Sequence, residues 1–308
     1  MILLQQMLLF ATMMGIGYGT ARKGILDKQV TKSISWLVVN VSNPALILSG
    51  CLSGSAVNGR DIVRISILAF AVYFVLIGIS WILSYTIDKT RENRGLYQAM
   101  MLFSNMGFMG LPLMAAVYGN QSVIYISMFL IPFNLLIYTY GLYIMKDNKE
   151  RTKQQKGSAL RKIINPGVVA SVIALVFSLS GFQLQGFPVA LADSLGSLTG
   201  PLSMMVIGAS FYDINLKELF QDKKLHLISF YRLILIPLFG MLILMRFVET
   251  KELLGACYVV LAAPVGSMTV MFSKQYRKED TIATKAVAFS TLLSVVTMPL
   301  LMSILKIC

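Results

Sequence analysis

Apolar residues fill this chain in ten long blocks, each ended by a short polar stretch. The blocks cover residues 2–20, 33–53, 62–86, 95–118, 122–145, 165–181, 188–210, 225–245, 253–272 and 280–304. A bilayer core about 30 Å thick needs roughly 20 apolar residues in a helix. Each block is therefore expected to span a membrane, giving an all-α membrane protein of ten transmembrane helices. The shortest block, 165–181, opens on Asn165-Pro166, and proline is tolerated in a helix's first turn.

Composition extends this reading to the whole chain. Of the 308 residues, 56% are hydrophobic and 13% are charged, against about 25% charged in soluble domains. Mean hydropathy is +0.72. A soluble fold of this size exposes too much surface to hide that excess.

The charges then orient the helices. Of the 27 Lys and Arg, 20 lie in the odd-numbered connections between blocks. Basic loops stay cytoplasmic. The odd loops are thus expected inside and both termini outside, in a plasma-membrane protein. Because the net charge of +13 is parcelled into short loops, it points to lipid and away from nucleic acid. The first block has no basic residue ahead of it and is followed by Arg22 and Lys23. A cleaved signal peptide has the opposite polarity, so this block is kept as the first span.

The most polar connection, the basic loop 146–162, separates residues 1–145 from 163–308, with five blocks in each. Five is odd, so the second half enters the membrane from the opposite side. The expected architecture is two inverted five-helix repeats, a common construction in secondary transporters. Mid-span prolines fit it: Pro44 and Pro112 fall in blocks two and four, Pro201 and Pro264 in blocks seven and nine.

The richest motif is SNMGFMGLP, Ser104–Pro112. Pro112 removes a backbone donor and crowds the preceding turn, and Gly107 and Gly110 ease bending. Pro264 and Gly266 supply a matching break in block nine, with Ser267 beside them. Bare backbone at membrane depth is tolerated only against protein or a wet cavity. Helix N-termini there attract anions. Helices four and nine are therefore expected to be broken and crossed, with a binding site between them. Asn105, Asn43 and Asn134 are candidate ligands, because an amide in hydrocarbon needs partners and can donate and accept. Met109 lies beside the fourth-block break. Arg232, inside block eight, is a candidate counter-charge or a snorkelling residue.

Other chemistry has little support. Cys51, Cys257 and Cys308 are scattered, and the single histidine, His226, lies in a polar connection. No nucleophile–base set, phosphate loop or metal-ligand spacing occurs, so neither an enzyme nor a cofactor is expected. No carboxylate sits at mid-span, which leaves the coupling ion, H+ or Na+, open.

These motifs carry a family resemblance. NPALIL at Asn43–Leu48, SNMGFMGLPL at Ser104–Leu113, PLSMMVIGASF at Pro201–Phe211 and Arg232 with Pro237 resemble the auxin efflux carrier family. That family includes bacterial malate and malonate permeases and the plant PIN carriers. The resemblance covers essentially the whole chain. It implies a scaffold of helices one, two, six and seven, a moving unit of three to five and eight to ten, and a crossing at Pro112 and Pro264. It further implies that Asn105 binds a substrate carboxylate and that the chain forms a homodimer. The plant carriers have an aspartate in helix three, and this sequence has none between Ile62 and Thr86. Their long hydrophilic loop is absent too. The expected activity is secondary transport of a small organic anion by alternating access. Its rivals are a passive channel, a membrane sensor and an intramembrane enzyme.

Overall fold

A computed structural model describes residues 2–52, 59–88, 93–145, 165–180, 184–212, 214, 216–275 and 280–307. The basic loop 146–162 lies outside the described residues.

The described chain is predominantly helical, without a strand among the described residues. The first half holds α1 (Ile2–Arg22), α2 (Lys28–Leu37), α3 (Asn43–Leu52), α4 (Gly59–Ile87), α5 (Arg94–Leu102), α6 (Leu111–Tyr118), α7 (Val123–Leu136) and α8 (Leu142–Met145). The second half holds α9 (Pro166–Ser180), α10 (Phe187–Ser197), α11 (Thr199–Ser210), α12 (Leu216–Gln221), α13 (Lys223–Phe230), α14 (Ile236–Leu244), α15 (Lys251–Ala262), α16 (Met268–Gln275) and α17 (Asp280–Ile304).

Among the described residues, six stretches are long and apolar enough to cross a membrane: Lys28–Gly50, Asp61–Ile87, Asn120–Met145, Phe187–Ser210, Lys223–Leu244 and Thr281–Ile304. Met106–Tyr118 and Pro166–Phe177 are shorter apolar helices. Blocks four and nine of the sequence are each interrupted, so neither forms one long helix.

Prolines shape the helices locally. Wide π-helical turns at Val38–Ser42, Met106–Gly110 and Tyr231–Leu235 each end two residues before a proline: Pro44, Pro112 and Pro237. A proline lacks an N–H and clashes with the carbonyl four residues back. The widened turn relieves that clash, and such turns recur at functional sites.

The outside of the molecule is apolar. Phe74 is 71% exposed and Val296 64%. Conversely, Ser84, Ser127, Ser203, Thr291 and Ser294 are fully buried. Several of these hydroxyls bond to carbonyls one turn back, which lets a polar residue sit inside a helix without an external partner. This inverted distribution suits lipid as the solvent.

Helix α1 packs closely on α11. A Cβ on Gly208 would fall 1.9 Å from the Met14 carbonyl oxygen, and one on Gly17 would fall 2.1 Å from that of Met205. The two backbones meet through glycine, the small-residue contact of membrane helices. Helices α9 and α10 pack on α3, α4 packs on α5 and α7, α14 packs on α15, and α13 packs on α17.

Candidate functional site: the paired interruptions at Ser104 and Val265

The chain leaves helical geometry twice at the centre of the fold. After α5, Phe103 is extended, at φ −99° and ψ 111°. After α15, Ala263 is extended, at φ −61° and ψ 145°. Ala263 precedes Pro264, whose ring drives the residue before it out of the helical region. Ser104 and Asn105 favour helix starts, because their side chains compete for nearby backbone groups.

The two extended segments pair antiparallel, with Ser104 opposite Val265. Asn105 donates its N–H to the Pro264 carbonyl at 2.9 Å, and Gly266 donates to the Phe103 carbonyl at 2.9 Å. A Cβ on Gly266 would lie 3.0 Å from the carbonyl oxygens of both Phe103 and Ser104, so glycine permits the close approach. A third N–H, that of Val265, donates to Ser290 Oγ at 3.1 Å.

The first interruption falls at Phe103–Asn105, earlier than the glycines and proline of its motif suggested. Gly107 and Gly110 lie inside the wide turn Met106–Gly110, and Pro112 opens α6. The widened turn satisfies the proline sterically, so the helix is not cut there. Pro264 and Gly266 do lie in the second extended segment. Ser267 is half-buried just before α16, and its carbonyl accepts from Val270 at 3.1 Å.

Three buried polar atoms around the pairing have no hydrogen-bond partner: Asn105 Nδ2, Ser104 Oγ and Asn43 Oδ1. Asn105 is 4% exposed, Ser104 2% and Asn43 7%. Asn43 also donates through Nδ2 to the Gly107 carbonyl at 3.1 Å, which ties α3 to the turn after the first interruption. Thr199 Oγ1, at the start of α11, is likewise buried and unpartnered. The next residue, Gly200, lies against the Pro112 ring. Orphaned buried polar atoms are rare, and a ligand is one explanation for them.

Asn134 differs. Its Nδ2 donates to the Leu130 carbonyl at 2.8 Å, and its Oδ1 accepts from Asn165 Nδ2 at 2.7 Å. Both amide groups are engaged, and they join α7 to the cap of α9. Met109 is fully buried, and its sulfur lies 3.8 Å from Ser294 Oγ. Met106 accepts a hydrogen bond from Tyr73 Oη at 3.3 Å.

Arg232 is fully buried. Its Nε donates to the Ala263 carbonyl at 3.0 Å, Nη1 to Met101 at 3.0 Å and Nη2 to Val260 at 2.8 Å. All three acceptors lie at the C-terminal ends of α5 and α15. Arg232 therefore does not snorkel, and among the described residues it forms no ion pair.

Ser104, Ser290 and Thr199 were not singled out by sequence reasoning. Single hydroxyls in apolar blocks resemble the many that merely bond within their own helix. The hydroxyl run Ser290, Thr291 and Ser294, all fully buried, was the available signal. Among the described residues, no three His, Cys, Asp or Glu side chains come together as a metal site.

The chain matches the model of a family described as membrane transport protein over residues 2–302. It is also 23% identical over 295 residues, 92% of either chain, to a protein of Methanothermobacter thermautotrophicus named "Uncharacterized transporter". The family match spans both interrupted helices and every candidate residue above, and the chain belongs to this membrane transport family, the auxin efflux carriers.

Proposed function

We propose that this transporter carries a small organic anion, a carboxylate, by alternating access. The observation that carries the reading is the unpartnered Nδ2 of Asn105, buried at the start of a half-helix. The first N–H groups of a helix have no intrahelical partner and form its positive end. The helical stretch Met106–Tyr118 begins beside Asn105, and α16 begins beside Ser267. A carboxylate between them would accept from the Asn105 amide and from free N–H groups. Ser104 Oγ would donate to it as well, and Asn43 Oδ1 would accept from a hydroxyl elsewhere on the substrate, with Met109, Pro112 and Pro264 lining the apolar side.

The architecture we propose is the ten-helix inverted repeat, with helices four and nine crossing at Ser104 and Val265. Reciprocal packing supports it: block one packs on block seven, and block six packs on block two. Those four would form the scaffold and the others the moving unit. The Asn43–Gly107 hydrogen bond would then link the two bodies. Arg232 and Asn134, which the sequence also marked as ligands, are assigned to holding helices together, because their polar groups already face protein. A homodimer in the plasma membrane, with both termini outside, completes the reading.

The test is counterflow in liposomes of purified protein, across monocarboxylates, dicarboxylates and neutral analogues. Saturable exchange of one carboxylate class is expected. Non-saturating flux would make the protein a channel, and no flux of any carboxylate would remove the reading.

A further inference from the structure

Two helices end against one side chain. The last carbonyls of a helix lack intrahelical donors and carry its negative end. Met101 is in the last turn of α5, Val260 is in the last turn of α15, and Ala263 follows it. The guanidinium of Arg232 donates to all three. It reaches them from the wide turn Tyr231–Leu235 on a third helix, ahead of Pro237.

We propose that Arg232 is a positioning residue for the anion site, clamping the negative ends of both half-helices at once. The clamp has two consequences. It holds the extended segments Phe103–Asn105 and Ala263–Gly266 in the register that their backbone bonds require. It also offsets the two negative ends, so that the field at the pairing is set by the positive starts of Met106–Tyr118 and α16. The substrate does not touch Arg232, which is fully buried with three donors committed to the main chain.

The planar fork is what the position requires. A guanidinium presents donors in several directions from a rigid plane, whereas an ammonium is a compact point charge. Lysine at this position could serve one helix end well, but not both.

The inference rests on the anion-site reading, and its test separates the two. Arg232→Gln and Arg232→Lys are compared with the natural protein by amide hydrogen exchange and by transport. In Arg232→Gln, protection is expected to fall together at residues 103–105 and 263–266, although these lie in different halves of the chain. Competition by a carboxylate is expected to weaken about tenfold, roughly 1.4 kcal/mol, while competition by its uncharged carboxamide changes little. Arg232→Lys should fold and fall between the two. A brace without electrostatic effect would weaken both competitors alike, which overturns the proposal. So does loss of protection confined to residues 225–240. If the natural protein moves no carboxylate, the transport reading fails, and the paired loss of protection still decides whether Arg232 is the clamp.

Discussion

Asn105 donates its backbone N–H to the carbonyl of Pro264 across 2.9 Å, while its side-chain amide nitrogen, equally buried, has no partner at all. One residue thus supplies both the joint between two interrupted helices and a free donor beside that joint. The backbone bond survives any substitution that keeps the chain's path, so the two roles separate experimentally.

Asn105→Ala removes an amide nitrogen that bonds to nothing in the free protein. Thermal stability is therefore expected to change little. A hydrogen bond to a charged group is worth about 1.5–3 kcal/mol, so carboxylate affinity should fall roughly ten- to hundredfold. Asn105→Asp should be worse, because it places like charge against the substrate. Unfolding midpoints and transport KM, measured on the same preparations, check both. Unaltered carboxylate uptake by Asn105→Ala would falsify the site assignment.

Asn134→Ala should behave in the opposite way. It leaves the Asn165 amide without its 2.7 Å acceptor and should cost about 1 kcal/mol of stability. Transport KM should stay unchanged. A KM effect without a stability effect would return Asn134 to the binding site.

Ser290→Ala strips the acceptor from the Val265 N–H in the second extended segment. Leaving a buried N–H unpaired costs about 1–3 kcal/mol. Amide exchange at residues 263–266 should accelerate, and Ser290→Thr, which retains the hydroxyl, should restore protection.

The α1–α11 contact makes a paired prediction. Gly208→Ala drives a methyl into the Met14 carbonyl, with backbone on both sides, and should destabilise by about 3 kcal/mol or more. A Cβ on Gly15 meets nothing within 4 Å, so Gly15→Ala should be neutral or stabilising by up to about 1 kcal/mol. Unfolding midpoints in one detergent compare the two directly.

The membrane character, the helical class and an interruption within the fourth apolar block were legible in the sequence. Apolar run length and composition report directly on the solvent a helix can tolerate. Pro264 also marked its interruption, because a proline constrains its predecessor wherever it sits. The position of the other interruption was less legible. A proline can either cut a helix or widen the turn before it, and Pro112 does the latter, as Pro44 and Pro237 do. The surroundings of Arg232 were hidden for a related reason. Its sequence context shows a charge in hydrocarbon, but the carbonyls that satisfy it lie 28, 31 and 131 residues away.

By itself, then, the sequence determined which segments must leave water and which of them carry residues that disturb a helix, since both depend on local composition and on the covalent geometry of proline and glycine. Only the tertiary structure decided that two interruptions lie side by side, that one guanidinium serves both helix ends, and that the amides of Asn43 and Asn105 keep unpaired atoms while those of Asn134 do not. Whether a buried polar group finds a partner depends on chains brought together from distant parts of the sequence, and no local pattern encodes that meeting.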